Sequence, residues 1–474
     1  MGSSGPTTPL HYLDAATLAA LIRAKQVSPR EVVQTHLDRI SAVNPMINAI
    51  VTLMADDALK AADAAELAVM NGEPLGPLHG VPFTIKDVID TVGVVTQRGS
   101  KLFTGHVPDT DATVVRRFKD AGGIPLAKTN VPEFSAWSET DNLVTGRTNN
   151  PWNLDRTPGG SSGGEAAAIA AGLSPIGIGS DVAISVRGPA AFTGIAALKP
   201  THGRVPYTGH FPAALRRLWH IGPMARSVRD VALGFSILNG PDGVDGYAIH
   251  AKNAEPADAR FDGQPVRIGW VGESAFAPVD PEVSAAVGDA AAVLGTLGCE
   301  VEEIRLPFME QNDWLTPFFT LWYGELIPYL QKFIAGREAE LHIVASKFMA
   351  RPLPALIDYV EADVKVDRLK TFFAGYFQKY DVLLCPVVPF TAPHHSQSEH
   401  SVHGVKVPPY HMLRATAPFN MTGLPALSVP FTLSSEHLPI NVQLVSRWLD
   451  EATILRIGAL LQASANPSDL RPGV

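Results

Sequence analysis

Three side chains in the first half of the chain suit nucleophilic chemistry. Ser161 stands in the glycine-rich run TPGGSSGGE, Ser185 in GSDVAISVRGPA, and Lys86 ends the apolar run GVPFTIKD. A serine hydroxyl attacks a carbonyl only when a base removes its proton. Histidine is the usual base, yet residues 157–190 contain none. Lysine can replace it when burial lowers its pKa from ~10.4, and a second serine can relay the proton. The set therefore predicts serine-based acyl transfer with a lysine base. Asp87 would oppose the lowering of the Lys86 pKa if it pointed inward.

These residues need elements to hold them. Residues 81–85 read as a short buried strand delivering Lys86, and 124–127 as another delivering Lys128 and Asn130. Residues 157–164 are a loop by composition, 165–172 a short buried helix, and 174–179 a strand leading into the Ser185 loop. Upstream, Ser28-Pro29-Arg30-Glu31 is a capping box with proline at the first helical position. A second helix is predicted over 55–70, stopping at Asn71-Gly72. Downstream, 266–271 reads as a strand, Asp280-Pro281 caps a helix ending at Gly298, and 301–306 reads as a strand. The aromatic-dense run 317–330 shows neither strand nor helix period; it is core packing or a pocket wall. Alternating strands and helices predict an α/β fold, a mixed twisted sheet covered by helices on both faces.

Composition narrows the class. The chain has 474 residues, 46% hydrophobic and 18% charged, with net charge −9 and no basic cluster. That describes a folded protein with a large core and excludes nucleic acid as an expected partner. Cys299 and Cys385 are too far apart for a zinc or disulfide framework and are expected as buried thiols in a reducing compartment. MGSSGPTTP has neither the basic nor the apolar region of a secretory leader, and no apolar run reaches the ~18 residues of a membrane span. A cytoplasmic protein, monomer or homodimer, with no membrane partner and no cofactor is expected.

The linked blocks GGSSGGE, GSD, SVRGPA and ALKPTHGR resemble the amidase signature family of serine hydrolases. GVPFTIKD, AKTNVPEFSAWSETDN, RTNNPWNLDRTPGG, DVLLCPVVP and NVQLVSRWLDEATILRIGALLQ extend the likeness in family order over nearly the whole chain. The resemblance implies one amidase signature domain over 10–474. Its catalytic core would span about 60–240, a variable substrate-side region about 265–380, and a C-terminal return about 381–465. It implies Ser185 as nucleophile, Ser161 as bridging serine after a cis peptide bond, and Lys86 as base. Backbone N–H groups of Val182, Ala183, Ile184 and Ser185 would form the oxyanion hole. Ser162, Asp181 and Arg187 would hold the loops, Arg204 could be structural or reach the pocket rim, and Glu133, Phe134 and Trp137 would lie on the substrate side.

The chain departs from the family at Ala183-Ile184, where Gly-Gly is usual. Either these residues keep negative φ or the hole is reshaped, and their added methyl groups should point into or behind the acyl pocket. The likeness to aryl acylamidases and urethane-cleaving hydrolases implies C–N cleavage of aryl amides and carbamates, with small-molecule substrate and water as partners. Two other readings stay open. One is a non-catalytic or amidotransferase-like subunit. The other is an α/β-hydrolase esterase using G-x-S-x-G within 159–164, a motif that needs a strand directly before the serine.

Overall fold

The computed structural model describes residues 8–251, 265–465 and 471–474; MGSSG and part of the Gly/Pro-rich run 239–264 lie outside them. Ser28 caps the helix Pro29–Ile47 as its sequence predicts, accepting from the Glu31 N–H at 3.0 Å. The helix Ala55–Asn71 ends at Gly72, whose φ of 72° suits a residue without Cβ. Asp280 caps the helix Pro281–Thr296.

Strands β1 (Ile50–Leu53), β2 (Pro82–Lys86), β3 (Ile124–Thr129), β4 (Ile176–Asp181), β5 (Ala196–Lys199) and β6 (His220–Ala225) come from the first half. The second half adds β7 (Arg267–Trp270), β8 (Glu300–Glu303), β9 (Val382–Pro386), the small hairpin β10 (His400–Val402) with β11 (Val405–Val407), then β12 (Ala426–Leu433) and β13 (Pro439–Ser446). All but β10 and β11 join one sheet in the order β1-β3-β2-β4-β6-β5-β12-β13-β9-β7-β8. β2 runs parallel to β3 and β4, whereas β4–β6 and β12–β13 are antiparallel, so the sheet is mixed.

Every residue of β2, β4, β6, β9 and β13 is buried. Successive side chains of a strand face opposite ways, so both faces of this central region are covered. The edge strand β8 is exposed throughout and carries Glu300, Glu302 and Glu303, charges that discourage pairing with another sheet. The predicted strand over 301–306 is therefore shorter and begins one residue earlier.

The largest difference from the sequence reading lies at 317–330, which belongs to a continuous helix, Leu315–Ile334. Its period is hidden because buried positions run most of the way round the helix: Phe318, Trp322, Leu326 and Leu330 share one side, Leu321, Pro317 and Ile327 extend it in both directions, and Phe319, Tyr323 and Tyr329 pack partly buried against the core. Pro328 inside the helix adds a false stop signal. Among the described residues, no helix is long and apolar enough to cross a membrane. Cys299 and Cys385 are buried free thiols.

Candidate active site

Strand β2 ends on Lys86, and its parallel neighbour β4 ends on Ser180 and Asp181, so the lysine and the Ser185 loop leave the sheet at the same edge. Lys86 is fully buried. Its Nζ lies 2.7 Å from Ser161 Oγ, 3.0 Å from Ser180 Oγ and 3.2 Å from the Ser180 carbonyl. An uncharged amine has two N–H groups and one lone pair. It can donate to both Ser180 oxygens while accepting the Ser161 proton. Burial lowers the Lys86 pKa to about 7, against the opposing pull of Asp181 and Glu165. Asp87 does not oppose it: its Oδ2 accepts from the N–H groups of Gln97 and Arg98, at 3.0 and 3.1 Å, and its charge acts on Lys128.

Ser161 follows a cis Gly160–Ser161 peptide bond. A Cβ on Gly160 would come within 2.8 Å of the Trp137 carbonyl oxygen and 2.7 Å of the Glu139 nitrogen. The chain at 137–139 thus lies directly on the serine loop, and only glycine fits. The Ser162 N–H donates to the Ser185 carbonyl at 3.2 Å, which ties the two serine loops together. Ser162 Oγ lies 3.3 Å from the Ser180 carbonyl and accepts from the Ser180 N–H at 3.4 Å. No strand leads into Ser161 or Ser162, as a nucleophile elbow would require; a helix, Gly163–Ala170, follows instead.

The Ser185 loop is held by a buried ion pair. Arg187 Nε and Nη2 donate to Asp181 Oδ2 and Oδ1 at 3.0 and 3.1 Å, and both side chains are fully buried. Burial would raise the Asp181 pKa, but Arg187 and its hydrogen bonds outweigh it and the pKa falls. Arg187 also donates to Gln443 Oε1 (2.9 Å), the Thr416 carbonyl (3.1 Å) and Asn420 Oδ1. The Val186 N–H donates to Asp181 Oδ2 at 3.1 Å, whereas those of Ala183, Ile184 and Ser185 have no acceptor among the described residues.

Ala183 and Ile184 are not among the residues of positive φ, so neither needs glycine's freedom. The Ile184 branch lies against Gly188, where an added Cβ would come within 2.7 Å of Ile184 Cδ1. Its side chain therefore packs behind the loop, onto the helix Arg187–Thr193.

The outer candidates separate. Glu133 uses both carboxylate oxygens to fasten chain segments, accepting from Ser100 Oγ (2.6 Å) and the His342 N–H (2.8 Å). Phe134 is fully buried among Phe103 and Phe211, edge to face with Phe103 at 6.4 Å. These two build a wall rather than present polar groups to a substrate. Arg204 does not reach a rim. It is buried with Nη1 3.5 Å from Glu451 Oε2, and that carboxylate also accepts from the Thr201 N–H.

Several residues escaped the sequence reading. Ser180 supplies both oxygens beside Lys86, and Glu165 sits between Lys86 and Lys128, accepting from Thr84 Oγ1 and from Thr129 Oγ1 (2.8 Å). Asn420 and Gln443 reach Arg187 from the far end of the chain. Ser180 and Glu165 stand inside the very motifs that carry the family likeness, which was the available signal.

The sequence profile of the family described as Amidase matches residues 31–455. This chain belongs to that family. It is 37% identical to a glutamyl-tRNA(Gln) amidotransferase subunit from Acidothermus cellulolyticus, over 95% of this chain and 94% of that protein. It is 34% identical to the acylamidase of Rhodococcus erythropolis, over 98% of each. The crystal structure of a bacterial aryl acylamidase of the amidase signature family superposes with a TM-score of 0.88 at 27% identity, covering 98% of this chain and 100% of that one. The family's members act on amide carbon–nitrogen bonds.

Proposed function

We propose that this protein is an amidase that hydrolyses aryl amides and carbamates through an acyl- or carbamoyl-enzyme on Ser185. The observation that carries the reading is the buried Lys86 amine, 2.7 Å from Ser161 Oγ and shifted to about 7. Ser185 loses its proton to Ser161, whose own proton passes to Lys86, and Ser185 Oγ attacks the carbonyl carbon. The N–H groups of the 183–185 loop receive the oxyanion. Collapse of the tetrahedral intermediate breaks the C–N bond, and the proton held by Lys86 leaves on the amine. Water then repeats the sequence and frees the acid, or the carbamic acid. Lysine supplies the base, so the reading needs neither metal nor cofactor.

A fluorophosphonate should label Ser185, located by peptide mass spectrometry, and abolish turnover of a chromogenic anilide. Label on Ser161 or Ser162, or activity lost to EDTA and restored by zinc, would overturn the assignment. The Acidothermus relative supports a second reading, one component of an amidotransferase that works only in complex. The purified chain separates the two: an amidase turns over anilides alone, whereas a component of a complex stays silent until its partners are added.

A further inference from the structure

Tyr207, His210 and Trp219 form a buried stack, with ring centroids 4.4 Å apart for the first pair and 5.0 Å for the second. Tyr207 is satisfied, its hydroxyl donating to the Pro212 carbonyl at 2.7 Å. The other two rings are not. His210 is 5% and Trp219 3% exposed, yet neither imidazole nitrogen nor the indole N–H meets a partner among the described residues. Buried polar atoms left unmatched cost stability, and three in two adjacent rings call for a ligand that repays them.

The segments that carry the stack are paired with those that leave the candidate site. The Asp90 N–H donates to the Gly209 carbonyl at 2.8 Å and the Phe211 N–H to the Val88 carbonyl at 2.9 Å, which laces His210 to the segment directly after Lys86. Trp219 precedes His220, the residue that pairs with Asp181 across β4 and β6. The backbone at both rings thus runs beside the strand ends that deliver Lys86 and the Ser185 loop, and the Lys86 charge acts on His210. Burial first, then the charges of Lys86 and Arg98, keep the imidazole neutral, with one donor and one acceptor nitrogen. Two donors, one from each ring, therefore await an acceptor.

We propose that His210 and Trp219 bind a hydrogen-bond acceptor next to the scissile carbonyl on the acyl side, and so select carbamates over carbon-acyl amides. This rests on the amidase reading above. An unsubstituted arylamine leaving group offers no acceptor, since the lone pair of the scissile nitrogen is delocalised into the carbonyl, so these donors are matched only by an oxygen on the acyl side; the nitro oxygens of the two probes below are common to both. A carbamate has that oxygen, and the corresponding amide has a methylene. Sites built to donate to a substrate oxygen reject the analogue that lacks it.

Ethyl N-(4-nitrophenyl)carbamate and N-(4-nitrophenyl)butanamide differ by that one atom and release the same chromophore. The ratio of their kcat/KM values, compared between parent and variant, cancels their intrinsic reactivities. His210→Phe should lower the carbamate-to-amide ratio about tenfold. Trp219→Phe should lower it in the same direction, and His210→Asn, which keeps a donor and an acceptor, should retain most of it. A urea unfolding transition like the parent's shows that each variant is folded. If both phenylalanine variants keep the ratio within twofold, water or packing serves these atoms and the proposal is wrong. If the parent hydrolyses neither compound although Ser185 is labelled, the amidase reading itself fails and takes this inference with it.

Discussion

An amine acts as a base only while uncharged, so the environment of Lys86 sets the pH at which this site can work. Burial is the dominant cause of its shift to about 7, and Asp181 and Glu165 limit it. The neutral form gains above that value. We expect kcat/KM for an anilide to rise as pH increases through about 7 and then level. Lys86→Ala should lower it by ~10²–10⁴ without unfolding the protein. A profile that rises on acidification would contradict a lysine base. The contact between Lys86 and Ser161 and the closeness of the two serine loops were legible, because the proposed chemistry needs those side chains in those motifs. Ser180 was not, because one of its two contacts with Lys86 uses a backbone carbonyl that any residue carries. Arg204 stayed open between a structural role and the rim because the partner that makes it structural, Glu451, lies far along the chain.

At the scale of elements, the helix Arg187–Thr193 and the loop before it behave as one packed unit. Gly188 leaves room for the Ile184 branch, and Ile184 is 3% exposed. Gly188→Ala should destabilise the protein by ~1–3 kcal/mol in urea unfolding, the usual cost of overpacking. In an Ile184→Ala background the same change should cost much less, because the overlapping atoms are gone. Additive effects in the double-mutant cycle would show that the two positions do not touch. The departure from Gly-Gly was visible in the sequence, but its direction was not, since φ and rotamer are set by the helix that follows. The helix Leu315–Ile334 was invisible for a related reason. Its buried positions run most of the way round the helix, and its aromatic residues find further partners in Tyr410 and Phe348, so no broad polar stripe marks its period.

Across the whole molecule, the fold class was readable from alternating patterns, whereas the crossing order of the sheet was not. β12 and β13 return from the C-terminal part to lie beside β5, and Gln443 on β13 reaches Arg187. That sheet buries ionisable groups whose cost must appear in global stability. Glu165 is fully buried and its pKa is raised from 4.5 to about 7, chiefly by desolvation, despite its bonds to Thr84 and Thr129. A carboxyl with a raised folded pKa binds more protons folded than unfolded between those values, so its contribution is present below 4.5 and lost as pH rises through about 7. Lys86 runs the other way. Its folded pKa of about 7 is below the unfolded 10.5, so charging it opposes folding fully below about 7, and stability recovers as pH rises towards 10.5. Glu165→Gln is neutral at every pH. Relative to the parent it should gain on the order of 3 kcal/mol at pH 8, from ~1.4 kcal/mol per pKa unit, and nothing at pH 4. Removing this carboxylate also removes a charge that holds the Lys86 pKa up, so the rising limb of kcat/KM should move to lower pH. Urea unfolding at both pH values, with the pH–rate profile, checks both effects; an offset independent of pH would mean that Glu165 is ionised throughout.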